Sequence, residues 1–285
     1  MQTEEIRINV AGHELAAKQW GDSDKPAILA LHGWLDNAAT YERIAPRLRD
    51  YRIIALDFVG HGFSSHRPEG VRYHFIDNVD DVIGLADALE LNTFILMGHS
   101  MGAGVASMLA GSFPERVEKL VLIEGIGSNT SKADEAPRIL RSAVSDMKRA
   151  AAKSKPIYET HSEAIEARMK GIGGISREAA ESLCARGLVS VSGGYTWRSD
   201  PRLIMSSAIR LTEEMVAGFV KELTMPVLLV TGKQSFLAAS DTINSRASLV
   251  PDLQRFDGDG NHHLHLEPET CEPVIAAIES FLARA

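Results

Sequence analysis

Residues 93–104 read Thr-Phe-Ile-Leu-Met-Gly-His-Ser-Met-Gly-Ala-Gly. The apolar first half is typical of a buried β-strand, and the small residues after it begin a helical pattern. Ser100 therefore lies between Gly98 and Gly102 at a strand-to-helix junction, in a turn so tight that larger residues at the two glycines would collide with neighbouring backbone. Such a turn exposes the serine oxygen at a helix N-terminus, where partial positive charge favours a developing anion. The stretch predicts that Ser100 is a nucleophile.

Other short apolar runs predict the sheet to which this strand belongs. They are nearly continuous rather than alternating, as expected for parallel strands covered by helices on both faces. Helical patterns at 77–91 and 101–113 separate some of them, which indicates right-handed β-α-β crossovers. The N-terminal residues 1–18 instead predict two antiparallel edge strands that turn at Ala11 and Gly12. The predicted strands of the central sheet are residues 27–31, 52–56, 93–97, 119–123, 226–230 and 253–256. The fold class is therefore α/β, with a mostly parallel central sheet and helices on both faces.

A long insert interrupts the strand pattern between residues 126 and 223. It contains amphipathic helical patterns and a short hairpin that is predicted to turn at Gly193 and Gly194. Because the sheet pattern resumes afterwards, we interpret residues 1–125 and 224–285 as one core and residues 126–223 as an inserted, mainly helical lid (cap). The predicted lid helices are Ala133 to Lys153, Ser162 to Gly171 and Ser176 to Arg186.

The loop after the first parallel strand is a candidate oxyanion hole. It reads Leu-His-Gly-Trp-Leu-Asp-Asn at residues 31–37. A backbone amide from this loop can reach the same point as the amide that follows the nucleophile. We therefore expect the amides of Trp34 and Met101 to stabilise an oxyanion. Gly33 allows a close backbone approach, and His32 is expected to brace the loop rather than act as a base.

A histidine-rich loop near the C-terminus supplies the candidate base. Residues 257–269 read Asp-Gly-Asp-Gly-Asn-His-His-Leu-His-Leu-Glu-Pro-Glu after a predicted strand. The histidine of a serine triad usually lies in the loop after the last strand. His262 comes first after the Gly-Asn turn and is our candidate; His263 and His265 are expected to enter a helix or line a pocket. A metal cluster is the less favoured alternative, because the histidines lack carboxylate or cysteine partners at ligand spacing.

Together these motifs resemble those of the α/β-hydrolase superfamily across nearly the whole chain. Asp-Phe-Val-Gly-His-Gly-Phe-Ser-Ser at residues 57–65 is similar to the superfamily's D-x-x-G-x-G-x-S segment, in which Asp57 and the glycines are expected to shape a turn. Residues 32–38, 64–66 and 260–262 resemble more narrowly the serine hydrolase-like proteins. In the superfamily the histidine usually stands five residues before a Glu-Pro pair, and Glu267 is followed by proline here, which again implies His262.

The acid of the triad is where the chain departs from the superfamily pattern G-x-x-D. The corresponding place reads Gly-Lys-Gln-Ser at residues 232–235, without a carboxylate. Asp241 lies further on and needs a rearranged loop, whereas Glu124 ends the strand after the nucleophile helix. Some superfamily members place the acid on that strand, and the extra methylene of Glu suits the longer reach. Glu124 is therefore favoured, Asp241 stays the alternative acid, and a triad without an acid is a third possibility.

The resemblance and the serine nucleophile imply a serine hydrolase that cleaves a small or medium carboxylic ester through an acyl-enzyme, with no cofactor and no metal. A thioesterase, an acyltransferase and a ligand-binding homologue with little turnover stay open as alternatives. We expect a small-molecule acyl substrate as the partner; the oligomeric state is left open.

Composition argues against other classes of protein. The net charge of −8, with no long run of one sign, argues against nucleic-acid binding. No stretch reaches the length of about 18 apolar residues needed for a membrane span. The N-terminal residues lack the apolar core of a signal peptide, and Cys184 and Cys271 have no metal or redox spacing. A cytoplasmic location is expected.

Overall fold

The computed structural model describes residues 2–150, 154–171 and 173–284. Eight strands form one sheet in the spatial order β1-β2-β4-β3-β5-β6-β9-β10, and β7 pairs with β8 in a separate hairpin. The strands are β1 (Thr3–Val10), β2 (His13–Trp20), β3 (Ala27–Leu31), β4 (Arg52–Asp57), β5 (Phe94–His99), β6 (Val117–Ile123), β7 (Leu188–Val191), β8 (Gly194–Trp197), β9 (Val227–Gly232) and β10 (Leu253–Gly258). The helices are α1 (Asp77–Ala88), α2 (Met101–Ser112), α3 (Ala136–Ala150), α4 (His161–Met169), α5 (Arg177–Gly187), α6 (Glu213–Lys221), α7 (Asp241–Ala247) and α8 (Cys271–Leu282).

The sheet confirms the predicted α/β class. In the eight-stranded sheet, β1 pairs antiparallel with β2 and β2 antiparallel with β4, while β4, β3, β5, β6, β9 and β10 pair parallel in that order. The first hairpin turns at Ala11 and Gly12 as expected, since Val10 pairs with His13. Side chains of the central strands are buried on both faces, which explains their unbroken apolar sequence.

Two apolar layers cover the sheet. One contains α1, α2, α6 and α7, and the other contains α8 together with the short 3-10 helix Ala38–Tyr41. The carboxyl ends of β5, β6, β9 and β10 meet at one edge, so the loops that follow them converge there. This edge is where the sequence placed its candidate catalytic residues.

The inserted segment differs from its prediction in three places. The hairpin turns at Ser192 and Gly193, one residue earlier than expected, because Val191 pairs directly with Gly194. The first helix spans Ala136–Ala150 after a 3-10 turn, and residues 151–153 of its predicted end lie outside the described residues. Helix α6, which the sequence did not predict, packs on α2: a Cβ at Gly111 would lie 2.3 Å from the Phe219 carbonyl. The boundaries of the core and of the lid stay predictions, and the position of α6 argues for a lid that ends before Thr212.

Two arginines, the buried Arg186 and the partly exposed Arg168, attach the inserted segment to the core. Arg186, in α5, donates from Nε to Asp57 Oδ2 at 2.8 Å, and Arg168, in α4, donates to Asp36 Oδ1 at 2.6 Å. Asp57 also accepts from the amides of Ala38 and Phe63 at 2.8 and 2.7 Å. As predicted, Asp57 therefore shapes a turn; it also anchors the insert.

No helix within the described residues is long and apolar enough to cross a membrane. Both cysteines are free and buried.

Candidate active site

Ser100 occupies a strained turn between β5 and α2. Its φ of 51° and ψ of −111° lie outside the usual regions for a residue with a side chain. A Cβ at Gly98 would lie 2.4 Å from the Gly102 carbonyl oxygen, and one at Gly102 would lie 2.1 Å from that of Leu31. These collisions are the reason for the glycines on either side of the serine. Strain of this kind costs about 1–3 kcal/mol and persists where the surrounding structure enforces it.

The imidazole of His262 lies between Ser100 and Glu124. Its Nε2 is 2.9 Å from Ser100 Oγ, and its Nδ1 is 2.8 Å from Glu124 Oε2. With Nδ1 protonated, the ring donates to the carboxylate and leaves Nε2 free to accept the serine proton. His262 and Glu124 are buried, and Ser100 is partly exposed. The serine hydroxyl can therefore donate to His262 Nε2 while His262 Nδ1 donates to Glu124, which is the arrangement needed to remove the serine proton.

Glu124 is held by backbone and side-chain donors from the neighbouring strand. It directly follows β6 with a φ of 57°, and its amide donates to the Val230 carbonyl at 2.8 Å. Its Oε1 accepts from the amide of Gly232 at 2.5 Å, and the hydroxyl of Ser235 donates to Oε2. Ser235 stands where the superfamily pattern has its aspartate. In this chain, that position supplies a hydrogen bond to a carboxylate that comes from β6.

Asp241, the alternative acid, lies elsewhere. It is exposed at the first residue of α7, and the imidazole nitrogen that a triad acid would contact is already bonded to Glu124. The structure thus brings Ser100, His262 and Glu124 together and leaves Asp241 out of this contact.

The expected oxyanion donors lie at the ends of β3 and β5. Neither the Met101 amide nor the Trp34 amide donates a hydrogen bond to any residue that the structure describes. Met101 begins α2, so its N–H has no partner within the helix. A Cβ at Gly33 would lie 2.9 Å from His99 Nδ1, which shows how closely this loop approaches the end of β5.

His32 contacts the candidate oxyanion loop and the segment after β4. Its Nδ1 lies 2.7 Å from the Gly33 carbonyl, and its Nε2 accepts from the amide of Phe58 at 3.0 Å. The pKa of His32 is lowered, mainly because the ring is buried. A neutral ring with one donor and one acceptor nitrogen therefore suits both contacts.

The comparisons with known proteins agree with this architecture. The family model described as alpha/beta hydrolase fold matches residues 26–269. The chain belongs to the α/β-hydrolase family. It is 35% identical to a serine hydrolase-like protein of Dictyostelium discoideum over 93% of this chain and 78% of that protein. It is 32% identical to human serine hydrolase-like protein 2, over 98% of this chain and 93% of that protein. The resemblance to serine hydrolase-like proteins is confirmed.

A solved structure extends the likeness in three dimensions. A hypothetical protein from Pseudomonas aeruginosa PAO1 is 45% identical and superposes with a TM-score of 0.95, covering 99% of this chain and 100% of that one. The α/β-hydrolase fold, predicted from the motifs, is shown by the family model and by the sheet topology, and this likeness shows that the whole chain shares its fold with a solved protein.

A buried polar cluster adjoins the base of this α/β hydrolase. Asp36 Oδ2 lies 3.1 Å from His263 Nε2 and 3.8 Å from His99 Nδ1. Burial alone would raise the pKa of Asp36, but the Arg168 guanidinium and the two histidines hold it well below its usual range. The sequence argument that these histidines lack a carboxylate partner is therefore wrong, because Asp36 reaches them from a distant loop.

The donor set in this cluster nevertheless does not fit a metal ion well. Ligand atoms of Asp36, His99 and His263 lie within 4.8 Å of one another, which is close enough for a shared cation. The guanidinium of Arg168, however, donates to Asp36 at 2.6 Å and lies 3.3 Å from His263 Nε2. A fixed positive charge at this carboxylate opposes a second one. The absence of a metal stays a prediction.

Two further histidines support the site: the sequence argument did not assign His99 a role, and it expected His265 to enter a helix or line a pocket, whereas His265 is fully buried. His99 Nε2 lies 2.9 Å from the carbonyl oxygen of His262, so the residue just before the nucleophile supports the loop of the base. His265 Nε2 lies 3.0 Å from Thr40 Oγ1. Burial, followed by the neighbouring histidines, holds the pKa values of His99 and His265 well below the usual range. Both rings are therefore neutral supports, and His265 is a buried packing residue.

Aromatic side chains lie beside the triad. Phe236, 66% exposed, has its ring centroid 4.7 Å from that of His262. Trp34, 39% exposed, donates from its indole nitrogen to the Leu203 carbonyl at 3.0 Å. Phe236 directly follows Ser235, so the segment that supports the acid also places an exposed aromatic ring against the imidazole. No periodic pattern predicted the place of this ring, because the segment is a loop.

Proposed function

We propose that this protein is a serine hydrolase that cleaves a small or medium carboxylic ester through an acyl-enzyme. The proposal rests mainly on the hydrogen-bonded chain from Ser100 Oγ through His262 to Glu124, with distances of 2.9 and 2.8 Å. Membership of a hydrolase family supports hydrolysis in general. An ester is the default substrate because its leaving group demands the least of the catalyst.

In the proposed cycle, Ser100 Oγ attacks the carbonyl carbon while His262 Nε2 takes the hydroxyl proton. Glu124 stabilises the resulting imidazolium and keeps its ring oriented. The amides of Trp34 and Met101 hold the negative oxygen of the tetrahedral intermediate. When that intermediate collapses, the ester bond breaks and the imidazolium protonates the departing alcohol. Water, deprotonated by His262, then attacks the acyl-enzyme and releases the carboxylic acid and free Ser100.

The role of Glu124 as the acid follows from how completely its carboxylate is engaged. It accepts from Gly232, from Ser235 and from His262, and its side chain is fully buried. Donors on one side and the imidazole on the other leave it a single orientation. Such preorganisation is what a triad acid contributes, since it fixes the tautomer of the base.

Selectivity is assigned to the inserted lid and to the exposed aromatic rings of Phe236 and Trp34. The indole contact to the Leu203 carbonyl joins the oxyanion loop to the inserted segment, so a substrate group near the carbonyl meets both. The proposed substrate is a small acyl compound. The cytoplasmic location stays a prediction.

The test combines a fluorophosphonate probe with a series of p-nitrophenyl esters of increasing chain length. Ser100→Ala is compared with Ser112→Ala, which alters an exposed serine at the other end of the same helix. We expect labelling and turnover to vanish in Ser100→Ala and to persist in Ser112→Ala. Turnover retained by Ser100→Ala would overturn the proposed nucleophile.

The same assay separates the alternatives. A single burst of p-nitrophenol followed by negligible turnover would contradict hydrolysis and favour a ligand-binding homologue. An ester product that appears only when an alcohol is added would favour an acyltransferase. Faster cleavage of matched thioesters than of oxygen esters would favour a thioesterase.

A further inference from the structure

A cavity of about 370 Å³ lies between the inserted segment and the core, and its lining is basic. Arg7, His66, Lys155 and Arg198 line it around the ring of Phe63, and none of its described lining residues is acidic. It shares no lining residue with the contacts around Ser100 described above. This basic cavity, which contains the Phe63 ring, is therefore separate from the proposed triad.

The basic side chains come from distant parts of the chain. Arg7 is on β1, His66 follows β4, and Lys155 and Arg198 belong to the inserted segment. The Arg198 guanidinium lies 4.8 Å from the centroid of the Phe63 ring, and its Nε donates to the Leu188 carbonyl at 3.0 Å. These contacts hold the guanidinium in place.

Nearby carboxylates are already engaged by other arginines. Glu14 pairs with Arg7, while Glu5 and Asp57 both pair with Arg186, whose guanidinium also lies against Phe63. One nitrogen of that guanidinium, Nη2, is buried and has no hydrogen-bond partner among the described residues.

The two cations of the inserted segment are left without acidic partners. Within the described part of the chain, neither Lys155 nor Arg198 forms an ion pair, although Lys155 Nζ donates to the Trp197 carbonyl at 2.6 Å. Burial, followed by the like charges of Arg7 and Arg186, lowers the pKa of Arg198. Asp200 lies 3.4 Å from His66 Nδ1 and pairs with Arg202, so among the described residues the positive charge of the cavity that has no ion pair is that of Lys155 and Arg198.

We propose that this cavity binds the phosphate group of a small phosphorylated molecule. A phosphate carries a charge of about −1.5 to −2 at neutral pH, which matches the two unpaired cations Lys155 and Arg198. A guanidinium held against an aromatic ring presents a planar pair of donors to phosphate oxygens, and a lysine adds a mobile point charge. The volume lies within the range of small-molecule sites and exceeds what inorganic phosphate alone would fill.

The inference is independent of the proposed esterase activity and is tested by binding. Inorganic phosphate and glycerol phosphate are titrated into the full chain by calorimetry, with ionic strength held constant by chloride. We expect saturable binding in the millimolar range or tighter, with the monoester tighter than inorganic phosphate. Arg198→Ala should weaken both at least tenfold. Arg255→Ala removes the same charge on β10, at the opposite edge of the sheet from β1, and should leave both unchanged.

Binding that is absent, or equal in wild type and Arg198→Ala, would overturn the proposal. Circular dichroism and the Tm in chloride buffer establish that each variant is folded. If Arg198→Ala does not fold, Lys155→Gln carries the same expectation of weaker binding. Tighter binding of the monoester identifies an organic phosphate as the occupant, whereas equal affinities identify the free anion.

Discussion

The carboxyl edge of the sheet and the inserted segment hold their functional side chains in different ways. At the sheet edge, Ser100 and Glu124 adopt positive φ values, and backbone amides and carbonyls fix them. In the inserted segment, Arg168 and Arg186 reach across to buried aspartates of the core. The turn at Ser100 is encoded by neighbouring glycines, whereas Glu124 and the two arginines depend on partners more than a hundred residues away. Backbone geometry thus positions the proposed catalytic residues, and ion pairs with buried aspartates position the inserted segment on the core.

The largest loss of activity is expected when the proposed triad is changed at Glu124. Glu124→Gln keeps the shape of the side chain but removes the charge that stabilises the imidazolium, and the wrong tautomer of His262 becomes accessible. We expect kcat to fall by about 10⁴, the loss that follows amide replacement of a triad acid. Steady-state ester hydrolysis measures it. Asp241→Asn, an equivalent change at the exposed alternative, should stay within about twofold of wild type.

A second change sharpens this result. Adding Ser235→Asp to Glu124→Gln restores a carboxylate at the position where the superfamily usually carries it. In this structure the Ser235 hydroxyl already contacts the Glu124 carboxylate. We expect the double variant to recover at least about tenfold in kcat, or about 1.4 kcal/mol of barrier. A large loss of activity in Asp241→Asn, with little in Glu124→Gln, would reverse the assignment of the acid.

Acid should destabilise the whole molecule through its buried histidines. Burial lowers the pKa values of His32, His99 and His265, and lowers that of His61 to about 3. These rings stay neutral in the folded state but take up protons in the unfolded state below about pH 6.5, so stability is full above that pH and falls below it. At pH 5.5 a ring that stays neutral in the folded state, as His61 does, contributes a loss of about 1.4 kcal/mol, and the other three rings add to it in the same direction.

Urea unfolding at pH 7.5 and pH 5.5 measures this difference. Most surface carboxylates titrate below this window, so the histidines dominate the change. A difference below about 1 kcal/mol would contradict neutral buried rings in the folded protein.

A smaller effect, on the free energy of unfolding, is expected when an ion pair that attaches the inserted segment to the core is removed. Arg186→Met leaves Asp57 buried without its cation, and removal of one partner of a buried pair costs about 3–5 kcal/mol. Arg177→Met, at an exposed position in the same helix, removes only surface pairs and should cost no more than about 1 kcal/mol. Chemical denaturation of both variants checks the comparison; equal losses would show that the Arg186 pair does not anchor the insert.

The sequence predicted well whatever depends on neighbouring residues. The glycines around Ser100 and the Glu-Pro pair after His262 are local signals, and the continuous apolar strands define the sheet. Glu124 was favoured but could not be separated from Asp241 by spacing alone, because the choice depends on Ser235 and on the pairing of β6 with β9. The hairpin turn was misplaced by one residue because Gly193 and Gly194 both suit a turn.

The remaining contacts arise only when distant segments meet. Arg168 and Asp36 lie in different predicted subdomains, and neither has a pattern that identifies the other as its partner. The same holds for the histidine supports: His99 is the variable residue of the nucleophile motif, and its contact with the His262 carbonyl appears only after the strands are paired.

The two arginine anchors also have a kinetic consequence. Swinging the inserted segment away as a rigid body would separate Arg168 from Asp36 and Arg186 from Asp57, each at a cost of several kcal/mol. We therefore expect substrates to enter through rearrangements of exposed side chains such as Phe236, which occur in picoseconds to nanoseconds rather than in the microseconds to milliseconds of domain motion. Such an entrance would not wait for a hinge, and walls fixed by the two arginine pairs would limit the size of the substrate.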